Sequence, residues 1–599
     1  MNRTAPRIGD YALLGDTRSA ALVSPDGDID WWCLPRFDSS PLCGRLLGGP
    51  AAGHLGLGPA EPATLVDREY LPGTPLLRTR WQCARGRLTS TEGMVSELRG
   101  QLLPSTLLVR RIQADDHAVQ VRWALAPRHG WTRDRLLRRE HGQAIVFTAG
   151  PLALSVHPSS QVVSTDGAED GEVTLAPGQH LTVAVSAVSG EPLVHVPPDR
   201  AWQLLLDDAA RWRQWTSRIS SDLPFAAAAR RSALVLRLLT HSPTGAPVAA
   251  VTTSLPEVVG GERNWDYRYT WPRDASIGVA AFVGLGMTQE ARMFLRWLLH
   301  ASRLDRPRLP VLLTLDGRHA PPERGVEGWP GYLGSTPVRT GNGARRQHQL
   351  DGYGWVVDAA HVFDSGCAPI DGETWRAVAG FADFAAERWD QPDAGIWEER
   401  GEASHHTHST LMAWLAVDRA LRLARTHRVS PRRVRRWESA RAAIGVAVRD
   451  RAFDPAWSSY TRTWGGHDLD AAVLMLPLIG IEPADSPRLR STIDAVQDRL
   501  SAGGPLLYRY APETDGLPGR EGAFLPCSFW LVQALAVTGR ADEAVDLMHQ
   551  LLDLSPLGLF SEEVDPTTGD MLGNYPQALS HAALLQAVLA LRDAGVSSS

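Results

Sequence analysis

The first half of the chain, from about residue 8 to 195, alternates apolar and polar positions in short segments that Gly, Pro and Asp interrupt. Val119, Val121, Trp123 and Leu125 show this period of two. Successive side chains of a strand point to opposite faces of its sheet, so the alternation is typical of strands with one buried face. Many short strands in succession predict an N-terminal β-sandwich.

After residue 197 the pattern changes to the period of helices. A stretch rich in Trp and Arg over 198–222 predicts a helical linker. Pro431 after Ser430 is typical of a helix start, with a capping hydroxyl before the proline. In the rest of the chain the pattern predicts twelve helices, near residues 225–241, 272–285, 288–302, 353–364, 371–389, 407–426, 431–452, 468–479, 485–501, 526–538, 541–554 and 576–594.

Twelve consecutive helices fit an array of four-helix bundles, a solenoid or a closed double ring of six hairpins. The connections that lead into the even-numbered helices are long, and most others are short. In a closed ring this asymmetry puts every long loop on one face, whereas a solenoid would show a fixed sequence repeat, which we do not find. We therefore expect a multidomain β + α fold, with a β-sandwich over 1–197, the linker over 198–222 and a C-terminal (α/α)6 barrel over 223–599.

The composition excludes several classes of function. The chain has 599 residues, of which 44% are hydrophobic and 21% charged, and its net charge is −6. Without a basic surplus or a long apolar run, we expect neither nucleic acid nor a membrane as a partner. All 61 basic residues are arginine, so the chain has no lysine for a Schiff base or a Walker-type phosphate loop.

The five cysteines are scattered and never form a CxxC pair, so we expect no zinc–thiolate site and predict neither a metal nor a cofactor. The first 15 residues lack the continuous apolar segment of a secretory signal, which favours a cytoplasmic location.

The loop before the second predicted helix ends in NWDYRYTWPRD, which includes Tyr267 and Trp271. Pro272 suits the first position of a helix, so Arg273 and Asp274 are expected in the first turn, at the mouth of the ring. Arginine donates hydrogen bonds and a carboxylate accepts them, so the pair suits two neighbouring sugar hydroxyls. We interpret this segment as part of a carbohydrate-binding site.

Two pairs of glutamates lie in loops that are three hairpins apart in a ring of six. They are Glu398-Glu399 in GIWEERG and Glu562-Glu563 in FSEEVD. Their carboxylates are therefore expected to face each other across the mouth. Hydrolysis of a glycoside needs a carboxylic acid on one side of the bond and a carboxylate on the other. The two pairs predict this chemistry.

Aromatic residues add to the carbohydrate hypothesis. The chain has 21 Trp, more than its Phe or Tyr, and several lie in the long loops. Trp397 precedes Glu398, and Asp351 lies in the aromatic segment QLDGYGW. We expect both residues to contribute to substrate binding. Flat indole faces suit the apolar face of a pyranose ring.

At this point the sequence resembles glycoside hydrolase family 15, which includes glucoamylases, glucodextranases and bacterial trehalases. Near the N-terminus, IGDYALLGD and GDIDW followed by LPRFDS resemble the trehalase-like β-domain of bacterial members. In the second half, TWPRD, QLDGYG, GIWEERG, LPGREGAFLPCSFW and SEEVDPTTGDMLGNYPQALSHAAL resemble the loops of the family's barrel.

The resemblance implies roles for individual residues. It makes Glu398 the general acid and Glu562 the base that activates water. It also implies that Arg273 and Asp274 hold the non-reducing glucose, and that Arg509 and Glu399 line the same pocket. It further implies inversion at the anomeric carbon, without a redox cofactor.

The expected function is that of an inverting, exo-acting α-glucosidase that releases β-glucose from an α-glucan, a maltooligosaccharide or a related glucoside. An α,α-trehalase of the same family is the alternative, and Glu399, which matches the double glutamate of glucoamylases, weakens it. A disaccharide phosphorylase also joins a β-sandwich to such a barrel, but Glu562 argues against it. A catalytically silent glucan-binding protein is the remaining alternative, against which the intact carboxylates argue.

Overall fold

The computed structural model describes residues 5–103, 105–160, 168–512 and 519–597. The chain forms two compact units. The first comprises Met1–Arg218 with Arg237–Pro243 and Val326–Val338. The second comprises Ile219–Leu236, Thr244–Gly325 and Arg339–Ser599.

The first unit contains two large antiparallel sheets and confirms the expected β-sandwich. Its strands up to residue 189 are β1 Ala12–Gly15, β2 Ala20–Val23, β3 Asp28–Cys33, β4 Pro41–Cys43, β5 His54–Pro59, β6 Thr64–Tyr70, β7 Leu77–Gln82, β8 Arg87–Met94, β9 Glu97–Leu98, β10 Gln101–Leu102, β11 Thr106–Ala114, β12 Val119–Ala126, β13 Arg128–His129, β14 Asp134–Arg135, β15 Leu137–His141, β16 Ala144–Ala149, β17 Leu152–Pro158, β18 Asp170–Leu175 and β19 His180–Ser189.

One sheet has the strand order β1-β2-β3-β5-β12-β18, with β4 paired to β3, and the other has the order β15-β16-β17-β19-β11-β8-β7-β6. A buried arginine connects them. Arg110 on β11 donates to Glu92 on β8 at 2.6 Å and to the carbonyl oxygens of Leu55 at 3.3 Å and Gly27 at 2.7 Å. The guanidinium group therefore satisfies polar groups of both sheets inside the sandwich.

The two aspartates of the GDIDW segment, Asp28 and Asp30, form buried hydrogen bonds in this unit. Arg45 donates to Asp30 at 2.7 Å and to Asp28 at 2.6 Å, and the hydroxyl of Tyr11 donates to Asp30 at 2.8 Å. Asp28 and Asp30 are buried, so these bonds compensate for the loss of their hydration.

Fourteen helices lie in the described residues. They are α1 Arg45–Gly48, α2 Pro198–Thr216, α3 Ala226–Leu238, α4 Pro272–Gly284, α5 Thr288–Ala301, α6 Asp351–Gly366, α7 Gly372–Arg388, α8 Thr407–Leu423, α9 Pro431–Arg451, α10 Leu476–Ile479, α11 Pro487–Arg499, α12 Leu525–Val537, α13 Ala541–Leu552 and α14 Ala578–Asp593. Helix α2 covers the segment predicted as a linker and packs on β11 and β19 of the first unit.

Short strands lie between the later helices, most of them in the long loops. They are β20 Thr240–His241, β21 Ala246–Pro247, β22 Thr253–Pro256, β23 Asn264–Asp266, β24 Arg324–Gly325, β25 Arg339–Thr340, β26 Phe453–Asp454, β27 Ser459–Tyr460, β28 Ser501–Gly503, β29 Leu506–Leu507, β30 Ala523–Phe524, β31 Glu563–Val564 and β32 Met571–Leu572.

The even-numbered predicted helices form a closed inner ring. Helix α4 packs on α6, α6 on α8, α12 on α14, and α14 on α4 again. Between α8 and α12 the ring is completed by the 3₁₀ turn Ala471–Met475 and α10. The outer helices α5, α7, α9 and α13 pack on inner helices next to them in sequence. This arrangement confirms the expected (α/α)6 barrel.

The eighth predicted helix differs in detail from the expectation. The segment near 468–479 begins as a 3₁₀ turn and has only four residues of α-helix. Pro477 lacks a backbone N–H and cannot bond to the preceding turn, and Gly480 ends the helix in the left-handed conformation with φ 80°.

Candidate active site

The N-termini of the inner helices receive the long loops, and these loops enclose a cavity of about 330 Å³ in the second unit. Helix N-termini carry partial positive charge, which favours carboxylates near them. The cavity is lined by Ala249, Glu257, Trp265, Tyr267, Trp271, Arg273, Asp274, Asn342, Gly343, Ala344, Gln347, Ile396, Trp397, Glu398, Glu399, Arg400, Arg509, Tyr510, Phe524, Glu562, Gln577 and Leu579. Nine of the ten predicted site residues are among them.

Two touching aromatic side chains hold the two candidate catalytic carboxylates. The indole N–H of Trp271 donates to Oε1 of Glu398 at 2.6 Å, and the hydroxyl of Tyr267 donates to Oε1 of Glu562 at 2.7 Å. The Tyr267 and Trp271 rings meet edge to face, with centroids 5.5 Å apart. The loops of Glu398 and Glu562, far apart in the chain, therefore meet at one pair of rings.

Glu398 has an unusual backbone conformation. Its φ is 59°, in the left-handed region that residues with a side chain rarely adopt. Gln347 stabilises this turn, since its amide donates to the carbonyl oxygens of Glu398 and Glu399, each at 3.0 Å. Burial raises the pKa of Glu398, and the nearby charge of Arg273 opposes that rise. The raised pKa favours the protonated form of this carboxyl group.

Glu562 has one carboxylate oxygen bound and one free of protein hydrogen bonds among the described residues. Tyr267 donates to Oε1, whereas the buried Oε2 has no such partner. Burial raises the pKa of Glu562 well above its usual value, and the charge of Glu257 adds to the rise. Gly573 makes room for this side chain, because a Cβ atom there would lie 2.8 Å from Cβ of Glu562 and 2.9 Å from Oε2.

The guanidinium group of Arg273 lies among three carboxylates, those of Asp274, Asp351 and Glu398. It donates to Asp274 at 3.3 Å and to the carbonyl oxygen of Ile396 at 3.1 Å, and it lies 3.7 Å from Glu398. Asp351 is fully buried behind it, with 3.5 Å between the carboxylate and Nη1 of Arg273, and does not line the cavity. This position suits a residue that orients Arg273.

Glu399 and Trp397, on either side of Glu398, each bind a charged side chain. Glu399 is bound by Arg462, whose Nε lies 3.2 Å from its carboxylate. The indole of Trp397 donates to both carboxylate oxygens of Asp470, at 3.0 and 2.9 Å. Both side chains reach the cavity from positions that these contacts determine.

At the wall of the cavity, two buried arginines contact a cluster of buried glutamates. Arg509 donates from Nε to both carboxylate oxygens of Glu521, at 3.1 and 3.0 Å, and from Nη2 to Glu257 at 3.3 Å. Its Nη2 also lies 3.8 Å from Glu563, and Arg263 lies 3.3 Å from Glu521. The carboxylates of Glu257, Glu521 and Glu563 come within 4.8 Å of one another, so they cannot all ionise at low cost.

Sequence reasoning missed Glu257, which lines the cavity. The indole of Trp265, in the NWDYRYTWPRD segment, donates to Glu257 at 2.8 Å. The available signal for Glu257 was its place in the first long loop, shortly before that segment. Nothing in the local sequence indicates that Glu257 meets Arg509, which is 252 positions away.

Among the described residues, no helix combines the length and apolar composition that crossing a bilayer requires.

Two family models cover most of the chain. Residues 225–589 match "Glycosyl hydrolases family 15", and residues 1–191 match "Trehalase-like, N-terminal".

Similar proteins match this chain over nearly its full length. A trehalase of Mycolicibacterium smegmatis is 35% identical, over 98% of this chain and 91% of that protein. A trehalase of Mycobacterium tuberculosis is 34% identical, over 98% of this chain and 89% of that protein. The solved structure of a bacterial glucoamylase complexed with acarbose has a TM-score of 0.70 and 12% identity, over 99% of this chain and 96% of that one. At that identity the likeness shows the fold alone.

We predict that Arg509→Met destabilises the protein in a pH-dependent way. Removal of one partner of a buried ion pair costs about 3–5 kcal/mol. Arg509 lowers the raised pKa values of Glu257 and Glu563, so in its absence these pKa values rise further in the folded state. A carboxyl group whose pKa is higher in the folded than in the unfolded state adds stability at low pH, and this stability is lost as the pH rises through the folded-state pKa. The destabilisation of Arg509→Met is therefore greater at pH 8 than at pH 5.

The measurement is the thermal unfolding midpoint of both proteins at the two pH values. Arg432→Met, on the exposed face of α9, is the control and leaves the midpoint nearly unchanged. An equal loss for Arg509→Met at both pH values would contradict this account of the cluster.

Proposed function

The chain belongs to glycosyl hydrolase family 15 and is a glycoside hydrolase, and from this premise we propose that it is an inverting α,α-trehalase. The observation that carries this proposal is the similarity to trehalases over nearly the whole length of both proteins. The glucoamylase-type expectation from the sequence gives way to its alternative, because the glucoamylase likeness extends to the fold alone. Glu399 does not oppose this, since Arg462 engages its carboxylate.

In the proposed reaction, Arg273 and Asp274 hold one glucose of trehalose at the inner end of the cavity. Glu398 is the general acid and gives its proton to the oxygen that joins the two sugars. The bond from that oxygen to the anomeric carbon breaks, and the second glucose leaves with the proton. Trp271 donates to Oε1 of Glu398 and thereby orients the carboxyl group.

Glu562 is the proposed base. Its unpartnered Oε2 accepts a proton from a water molecule, while Tyr267 holds Oε1. The water oxygen forms the new bond to the anomeric carbon on the face opposite the leaving sugar. One glucose is therefore released as the β-anomer, and the other leaves as the α-anomer.

The base must be ionised, although burial and the neighbouring glutamates raise its pKa. Four glutamates, Glu257, Glu521, Glu562 and Glu563, face two arginines, Arg263 and Arg509. Burial raises the pKa of Glu257 to about 7 and that of Glu563 well above its usual value. The positive charge of Arg509 opposes the rise in the pKa of Glu562 and so favours the ionised form that a base needs.

The proposal predicts that kcat/KM for trehalose exceeds that for maltose and isomaltose by about tenfold or more. Glucose release from each disaccharide by the purified protein, without added phosphate, provides the measurement. A higher value for maltose would identify a glucoamylase-type enzyme. Glucose 1-phosphate formed only with phosphate would identify a phosphorylase, and tight binding without turnover a silent binding protein.

Gly573→Ala tests the assignment of Glu562 as base without a change to the carboxylate itself. The added methyl group displaces the Glu562 side chain, so we expect kcat for trehalose to fall by about 10²-fold or more, as with Glu562→Gln. Gly569→Ala is the matched control. Both glycines have positive φ, 73° and 74°, but nothing lies within 4 Å of a Cβ at Gly569. Normal turnover by Gly573→Ala would remove Glu562 from the mechanism.

A further inference from the structure

Arg400 lines the cavity but has no part in the reaction described above. It lies two residues after Glu398, in the loop that carries the proposed acid. Its side chain is 44% exposed, whereas that of Arg273 is 11% exposed. Arg400 is therefore at the open side of the cavity. The proposed acid gives its proton to the oxygen of the leaving sugar. A residue that is on the loop of this acid and at the open side of the cavity therefore lies where the leaving sugar binds.

The Arg400 guanidinium is held in place by a carboxylate and by an aromatic ring. Its two terminal nitrogens donate to Glu323, at 3.3 Å from Nη1 and 2.8 Å from Nη2. The guanidinium carbon lies 4.2 Å from the centre of the Trp265 ring. A bidentate pair and a cation–π contact together fix the orientation of the guanidinium plane.

The partners of Arg400 are themselves fixed. Glu323 accepts from Arg339 at 3.0 Å and from the backbone N–H of Gly343 at 3.1 Å, and its side chain is 16% exposed. Arg339 also lies over the Trp265 ring, at 4.9 Å. The Trp265 indole N–H is bound to Glu257. Arg400 is thus presented by a rigid support, although it is partly exposed.

Two other polar side chains that line the cavity, those of Asn342 and Gln347, already form hydrogen bonds within the protein. Asn342 accepts from the backbone N–H of Ala344 at 2.9 Å. The side-chain amide of Gln347 donates to two carbonyl oxygens of the Glu398 loop. A guanidinium group has five N–H donors, and Glu323 receives hydrogen bonds from two of the Arg400 nitrogens. Arg400 has donor capacity left for hydroxyls of a sugar.

We propose that Arg400 binds the leaving glucose by donating hydrogen bonds to its hydroxyls, and that Glu323 is the positioning residue that holds the guanidinium for this contact. This inference rests on the proposed function, which defines the second glucose as the leaving group. It adds a substrate-binding residue at the open side of the cavity, whereas Arg273 is the more buried of the two arginines. Trp265 forms the flat support behind the guanidinium.

The test compares two substrates that differ only in the leaving group. The leaving group of trehalose is glucose, whereas that of α-D-glucosyl fluoride is a fluoride ion. The fluoride substrate therefore has no second ring for Arg400 to bind. Arg400→Ala is expected to lower kcat/KM for trehalose by about 10- to 100-fold, the loss of hydrogen bonds to a charged group. The loss for the fluoride is expected to be at least about tenfold smaller. The ratio of the two losses is the quantity of interest.

Glu323→Gln tests the positioning role. It keeps the size of the side chain but loses the charge that holds Arg400, so KM for trehalose is expected to rise more than kcat falls. The fluoride again serves as the reference substrate. Arg432→Ala, on the exposed face of α9, is the matched arginine control and is expected to leave kcat and KM for both substrates unchanged.

Equal losses on both substrates for Arg400→Ala would overturn the proposal, because they would mean that Arg400 only supports the fold of the acid loop. Unchanged kinetics on both substrates would overturn it as well. If the unmodified protein cleaves maltose and not trehalose, the trehalase proposal fails. The same ratio measured with maltose then tests Arg400 independently.

Discussion

The closed inner ring of helices is the constraint on which the rest of the second unit depends. Every inner helix follows a long loop, so closure of the ring brings these loops and the helix N-termini to one end. The candidate site therefore consists of loop residues on a rigid support. Trp271 immediately precedes α4, and Arg273 and Asp274 occupy its first turn. The helix ends also favour the negative charge that the site collects.

The site buries more carboxylates than it has cations to neutralise them, and this imbalance gives the site its chemistry. Paired carboxylates such as that of Glu521, bound on both oxygens by Arg509, serve the structure. Glu398 and Glu562 differ, because an aromatic donor holds Oε1 of each. Such a contact orients the carboxyl group without the tight ion pair that binds Glu521, which suits proton transfer.

The sequence was sufficient to predict the fold and the loops that form the site. Helical periodicity and unequal loop lengths predict the barrel, and the opposed glutamate pairs follow from that ring. Details that depend on contacts between distant segments were not accessible. The place of Asp351 behind Arg273, and the meeting of Glu323 with Arg400, both depend on how separate loops pack. The short α10 could have been anticipated from Pro477.

The central claim is that Glu398 and Glu562 act as an inverting acid and base on trehalose. Proton NMR of the first glucose released from trehalose tests it most directly, before the anomers equilibrate. Inversion at one sugar and simple departure of the other predict α- and β-glucose in equal amounts. Release of α-glucose alone would mean retention, and would contradict the assignment of Glu562 as the base that activates water.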